Sequence, residues 1–294
     1  MTASGTHSRE KHQKGYALLL VLWSLALLSL LAAMLMSQNR LAVRMEANAW
    51  TALEAQQTAE AGFAIAALKL YEPETHRGGA LYGAEFPFEF DGARGEIVIQ
   101  DELGKLDINE ASEDALRALL SAAGASPARA ALLASRIVEW RGSASRRPGS
   151  VVREEYEAAS LGYSPRGRAF QSVGELRLVL GMTDDLFDKA EGALTVFTHA
   201  SSFDPNAASE ILLRAAPGVS TATIDSIRKR RAEPVVSDTS ADEGIPAQLR
   251  VSLEGRAFSI SVQLVAKGRE RSYQRVVRVN GGSVNPVWDL ELSY

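Results

Sequence analysis

The side chains that most often do chemistry are sparse in this sequence. Cysteine is absent, which excludes disulfides, thiolate metal sites and thiol nucleophiles together. The four histidines, His7, His12, His76 and His199, are scattered, and none makes the i, i+4 pair of a helical zinc hydrolase. There is no nucleophile elbow, phosphate loop, catalytic carboxylate pair or cofactor fingerprint, and Gly78-Gly79 and Gly281-Gly282 read as turns. An enzyme is not expected.

What does recur is capping chemistry. Asp107-Ile108-Asn109-Glu110-Ala111-Ser112-Glu113 and Asp204-Pro205-Asn206-Ala207-Ala208-Ser209-Glu210 share the pattern D-x-N-x-A-S-E. Each leads into an apolar run, Leu116, Leu119 and Leu120 or Ile211, Leu212 and Leu213, and then into a turn, Gly124-Ala125-Ser126-Pro127 or Pro217-Gly218-Val219-Ser220. Asn, Ser and Asp cap helix starts, a first-turn glutamate suits the helix dipole, and the glycine reverses the chain. The pattern predicts two helical hairpins.

Turn amides of such hairpins suit DNA phosphates, and Arg228-Lys229-Arg230-Arg231 follows the second copy. The first copy, however, lacks a Pro-Gly-hydrophobic-Gly turn, and the block around it is rich in Asp and Glu. With 32 Lys+Arg against 36 Asp+Glu, the net charge of −4 also argues against a chain that coats nucleic acid. The hairpins therefore read as packing units and the basic run as a solvated face or partner surface. A membrane-anchored DNA-binding protein is the alternative.

The elements that carry these motifs begin with a span. Tyr16 to Met36 contains no charge; as a helix it covers about 31 Å, matching a bilayer core of roughly 30 Å. It exceeds a signal-peptide core and ends in no small-x-small cleavage site, so it is expected to stay in the mature protein. Arg9, Lys11 and Lys14 precede it, and Arg40 and Arg44 follow it; the first segment usually dominates, which favours a cytoplasmic N-terminus. No proline interrupts Tyr16 to Glu72, and Leu41, Met45, Ala49, Ala52, Ala55, Ala59, Phe63, Ala66 and Leu70 recur at helical spacing. A helix from Tyr16 to Leu70 would reach about 80 Å. Gly62 and the alanine seam favour close packing on a sheet.

Pro73 and Arg77-Gly78-Gly79 end the helix. Phe86, Phe88 and Phe90, Arg94 to Gln100, Leu249 to Leu253, Ala257 to Ala266, Tyr273 to Val279 and Asp289 to Leu292 read as strands, punctuated by Gly255, Lys267-Gly268 and Asn280-Gly281-Gly282. Strands on both sides of a mostly helical block from Asp101 to Arg231 predict one antiparallel sheet with a large helical insertion. The fold class is α+β, on a chain of 294 residues that suits two domains or one domain with an insertion. The expected division is 1–15 as leader, 16–36 as membrane helix continuing as 37–70, 71–100 as β region, 101–232 as inserted helical domain, 233–246 as linker and 247–294 as β region.

The junction Lys14-Gly15-Tyr16, a short basic leader running straight into an apolar helix, resembles a type IV prepilin. The resemblance implies peptidase cleavage between Gly15 and Tyr16, N-methylation of Tyr16, and a type IV pilin-like fold. Pilins and pseudopilins usually carry glutamate at the fifth mature position, which here is Leu20. That departure resembles the protein K family of type II secretion minor pseudopilins. So do Gly104-Lys105-Leu106-Asp107-Ile108-Asn109, Ile137-Val138-Glu139-Trp140-Arg141, and the stretch from Phe170 to Met182 (FQSVGELRLVLGM). The resemblance implies an inner-membrane, single-pass subunit with a periplasmic body at the tip of the pseudopilus. Its implied partners are minor pseudopilins I and J, major pseudopilin G, the prepilin peptidase and the inner-membrane assembly platform. Members of the family can bind calcium through acids after the tryptophan. Here that place reads Arg141-Gly142-Ser143-Ala144-Ser145-Arg146-Arg147, leaving Glu154 and Glu155 as weak candidates, with Asp184, Asp185 and Asp188 further on.

Overall fold

The proline-free N-terminal run folds as one helix, α1 (Glu10–Tyr71), in the computed structural model of the chain. The structure describes residues 10–71, 81–142, 149–232, 253–266, 268–280 and 287–293. Helix α1 starts at Glu10 rather than Tyr16, because residues 10–14 are acceptable helix formers and the lone Gly15 costs only about 1 kcal/mol inside a helix. Expectations for the first leader residues, for Pro73 and Arg77-Gly78-Gly79, for the 143–148 loop, the 233–246 linker, most of the Leu249 to Leu253 strand, Lys267 and Gly281-Gly282 lie outside the described residues.

The chain divides into two units, Met1–Gln57 and Thr58–Tyr294. In the first, Tyr16–Met34 has a mean hydropathy of 2.5 and is long and apolar enough to cross a membrane. Its large side chains, Trp23 and Leu30 among them, are exposed. Within this stretch, Ser24 Oγ donates to the Val21 carbonyl at 2.9 Å, which satisfies a hydroxyl that apolar surroundings would leave stranded.

The second unit holds the rest of α1 and a five-stranded antiparallel sheet in the order β1-β2-β5-β6-β7. The strands are β1 (Ala84–Phe90), β2 (Ala93–Asp101), β5 (Ala257–Ala266), β6 (Arg269–Val279) and β7 (Val287–Ser293). Ile97, Val262 and Tyr273 stand opposite one another across β2, β5 and β6, and all three are buried. Ala59, Phe63, Ala66 and Leu70 of α1 are buried too, the stripe the sequence spacing predicts. Gly62 lies against Val262: a Cβ there would sit 2.8 Å from Val262 Cγ1 and 3.2 Å from Phe88 Cζ. Only a glycine lets the helix come this close. Arg275 of β6 completes the contact, its guanidinium 4.2 Å over the Phe63 ring and 2.7 Å from Glu60 Oε1.

Between β2 and β5 lies the inserted block. It comprises β3 (Leu106–Asp107), α2 (Glu113–Ala122), α3 (Pro127–Trp140), α4 (Gly149–Ala158), α5 (Asp184–Ala190), β4 (Leu194–Thr195), α6 (Glu210–Ala215) and α7 (Thr221–Ala232). Its continuous core, with Leu116, Leu133, Trp140, Phe187 and Leu213 among its members, draws on residues 106–227 alone. The parallel pair β3 and β4 was not expected, since two-residue strands leave no periodicity to detect. The insertion leaves from Asp101, whose register partner on β5 is Phe258, so both its ends sit at one edge of the same strand pair. An antiparallel pair opened at that point accepts a domain without disturbing the register of the rest.

Candidate functional site

Tyr16 and Leu20 stand one helical turn apart on α1 and are both exposed, at 72% and 60%. Leu20 leaves this turn without the carboxylate that the pilin resemblance would put there. Gly15 lies within the helix. The structure thus brings Gly15, Tyr16 and Leu20 together on adjacent turns at the start of the apolar stretch.

The second place of interest is where the block joins the sheet. Asp101, at 1% exposure, ends β2. Its Oδ1 accepts from the Leu103 amide at 2.9 Å, capping a 3-10 turn, and its Oδ2 accepts from Arg256 Nη2. Beside it, buried Glu102 accepts from Lys105 Nζ at 2.5 Å and from Ser259 Oγ on β5. Gln100 Nε2 donates to the Ala207 carbonyl at 3.0 Å, and the Asp204 amide donates to the Leu103 carbonyl at 2.7 Å. A Cβ on Gly104 would fall 2.0 Å from the Ala207 oxygen, so the turn and the segment ahead of α6 are in direct backbone contact. Burial pushes the Asp101 carboxyl up to about 6, the nearby Asp204 adds to the rise, and Arg256 opposes it. An open groove of about 660 Å³ runs beside this junction, with Lys105, Ser259 and Gln274 at the sheet and Arg177, Phe187 and Glu191 on the block.

The repeated motif becomes two matching hairpins, α2–α3 and α6–α7. In both copies the leading aspartate closes a turn onto the asparagine: the Asn109 amide donates to Asp107 Oδ1 at 2.9 Å, and the Asn206 amide to Asp204 Oδ1 at 2.8 Å. The turns between helices use glycine at positive φ, +105° at Gly124 and +79° at Gly218, as a side chain would not. The expected caps hold only in part. Ser112 Oγ accepts from the Ala115 amide, whereas Ser209 Oγ is buried and bonds to nothing among the described residues. Asn109 caps no helix: its amide group exchanges two hydrogen bonds with the backbone of Phe170, at 3.0 and 2.7 Å.

Sequence reasoning missed the arginines that lock the hairpins. Arg141, just past α3, donates to the carbonyls of Ile108 and Ala111 at 2.7 and 2.8 Å. Arg231, at the end of α7, donates to those of Pro205, Asn206 and Ala208. Pro205 and Ala208 hold in the second motif the places of Ile108 and Ala111 in the first, so each hairpin is closed by one arginine on equivalent carbonyls. Burial lowers both guanidinium pKa values from their usual level. The available signal was an arginine at the end of the second helix in both copies. Of the basic run, read as a solvated face or partner surface, Lys229 and Arg230 are exposed, while two members are engaged within the hairpin. Arg231 is committed to the turn and stacks 3.9 Å over Tyr82, and Arg228 pairs with Glu210 and Asp225.

Trp140 organises the middle of the block. Phe170 stacks on it with ring centroids 6.1 Å apart, and Tyr156 and Tyr163 close the cluster. The candidate calcium ligands lie apart around it. Glu154 is exposed on α4, and Glu155 faces Arg136 at 3.4 Å. Asp184 and Asp188 flank Arg177, and Asp185 pairs with Lys189. Among the described residues no three acids or histidines converge on one point, and as arranged these side chains do not fit a calcium ion.

A family model described as type II secretion system (T2SS), protein K, matches residues 97–199, from β2 through both short parallel strands to the loop beyond. Among solved structures, a chain of the GspK-GspI-GspJ complex from the enterotoxigenic Escherichia coli type 2 secretion system is similar. It shares 16% identity and a TM-score of 0.49, over 82% of this chain and 99% of that one. No curated protein matches in sequence.

Proposed function

Through residues 97–199 this chain belongs with protein K of type II secretion systems, and from that premise we propose that it is a minor pseudopilin of the secretion pseudopilus. Its place is the filament tip, where it helps to initiate and to limit assembly for the export of folded proteins across the outer membrane. The observation that carries this reading is the joining of an apolar N-terminal helix to a sheet that bears a helical block with its own core. A bulky block opened out of a strand pair suits a subunit with neighbours below and none above. It is an assembly role and calls for no catalytic residue in this chain.

The mechanism follows from the N-terminus. The stretch from Tyr16 holds the subunit in the inner membrane, with residues before it in the cytoplasm and the body in the periplasm. Prepilin peptidase cuts between Gly15 and Tyr16, and Tyr16 is then N-methylated. An unpaired carboxylate within a bilayer is costly, and Leu20 spares the tip subunit one that would have no partner above it. The neighbours in this scheme are minor pseudopilins I and J, with the major pseudopilin G beneath and the inner-membrane platform as the assembly machine. DNA binding has little support beside this, since Arg228 and Arg231 are already engaged within the hairpin.

Intact mass and N-terminal sequencing of the membrane-extracted protein test the reading, in cells with and without the peptidase. A chain that begins at methylated Tyr16 only when the peptidase is present is the expected result. A Met1 start in cells with active peptidase would overturn it.

A further inference from the structure

The helical block leaves the sheet at Asp101 of β2. Ser259 on β5 holds Glu102 beside that exit, and Gln100 on β2 holds the Ala207 carbonyl ahead of α6. Neighbouring strands lie about 5 Å apart, so a footing on two strands gives a body of this size little leverage against rocking across the sheet. A further attachment comes from β6. Half-buried Arg278 donates through Nη1 to the Gly255 carbonyl, in the turn that returns the chain to β5. Through Nη2 it donates to the Phe197 carbonyl on the block, again at 2.6 Å. Arg278 stands opposite Ala257 of β5, one strand farther from β2, so it widens the footing from two strands to three.

The carbonyl that Arg278 takes is itself fixed. Phe197 follows β4, and its amide donates to Thr195 Oγ1 at 3.1 Å. The next two residues turn onto Asp107 of β3: the amide and hydroxyl of Thr198, each at 3.2 Å, and the His199 amide at 2.8 Å all donate to Asp107 Oδ2. Asp107 is fully buried, and its other oxygen holds the Asn109 amide in the first hairpin motif. His199 is kept at a φ of +52°, a left-handed conformation that few side chains adopt, which marks a loop held in one shape by its surroundings. The contact thus runs from β6 through this loop into the core of the block. Three residues back on the same strand, Arg275 grips Glu60 and Phe63 of α1.

We propose that Arg278 is a positioning residue that fixes the bearing of the helical block on the sheet, so that the two move as one body. Its planar fork suits the task, because two rigidly spaced N–H groups reach carbonyls from two separate parts of the chain, which a single ammonium does not. The consequence falls on partners: whatever sits on the sheet meets the block at one fixed angle. The inference rests on the junction alone and stands apart from the filament role.

The chain has no cysteine, so pairs of introduced cysteines can carry spin labels on the full chain in detergent micelles. Pulsed dipolar electron paramagnetic resonance then reads the spread of distances between them. Ser272→Cys on β6 with Ser121→Cys on α2 spans the junction, Ser121→Cys with Ala222→Cys on α7 lies within the block, and all three positions are exposed. The expected result is one narrow distribution for the spanning pair, broadened by Arg278→Ala and broadened less by Arg278→Lys. The pair within the block should keep its width throughout, which separates a loosened joint from an unfolded block. Arg278→Gln, which retains a donor but not the fork, is read in parallel so that the answer does not hang on how one variant folds. A broad distribution for the spanning pair with Arg278 in place, or a width that its replacements leave unaltered, would overturn the proposal.

Discussion

At the scale of single residues, the arginine locks show how a charged side chain becomes structural. Arg141 gives two hydrogen bonds to carbonyls that the turn of the motif leaves without helical partners. Truncating it strands both acceptors next to the buried Trp140, so Arg141→Ala is expected to lower stability by about 2–3 kcal/mol in urea denaturation. Arg141→Lys should recover less than half of that, because a single ammonium does not reproduce the planar fork that reaches both oxygens. Equal stabilities for the two variants would show that the charge, not the fork, is what counts. Little of this was legible in the sequence. An arginine after a tryptophan at a helix end reads as a solvated terminus favourable to the dipole. Its true role appears only when the motif preceding the hairpin folds back onto the helix that ends it. Asp101 was hidden for the same reason, since its partner lies on the far side of the insertion.

Among the elements, the two hairpins differ in how much they can do alone. Helix α2 has ten residues and α3 fourteen, while α6 has only six. So short a helix gains almost nothing from propagation and stands by its packing and its lock. Arg231→Ala should therefore open α6–α7 locally, seen as faster amide exchange there while α2–α3 keeps its protection. Arg230→Ala, on an exposed residue beside it, should leave both hairpins unchanged; equal effects of the two substitutions would refute the lock. The hairpins themselves were readable, because capping residues and turn glycines are local signals that survive without tertiary context. Likewise the α1 stripe was readable from the spacing of Ala59, Phe63, Ala66 and Leu70, and Gly62 foretold the close approach that Val262 occupies. The starts of elements were less legible. Helix α1 runs back past Gly15, because residue preferences set a helix boundary only weakly where no proline or strong cap marks it.

On the scale of the whole molecule, the separate core of the block and the sheet-edge position of its two ends make a strong prediction. Replacing Glu102–Arg256 by a short glycine-containing turn should leave β1, β2, β5, β6 and β7 paired with the end of α1. Far-UV circular dichroism should then report a strand signal and a cooperative melt, and loss of both would mean that sheet and block share one core after all. The fold class and the interrupted sheet were visible in the sequence as strand patterns on either side of a helical stretch. The register was not, because nothing local tells β2 that its neighbour begins at Ala257. That distance also sets a timetable. The α2–α3 hairpin closes over a few residues, whereas β2 and β5 meet only after a loop of more than a hundred has been brought round, at an entropic cost that slows nucleation. The α2–α3 hairpin is thus expected to form before β2 meets β5, and a core that packs Leu106 with residues as far along as Ile227 shortens the loop their pairing must close: the insertion that interrupts the sheet also draws its two halves nearer.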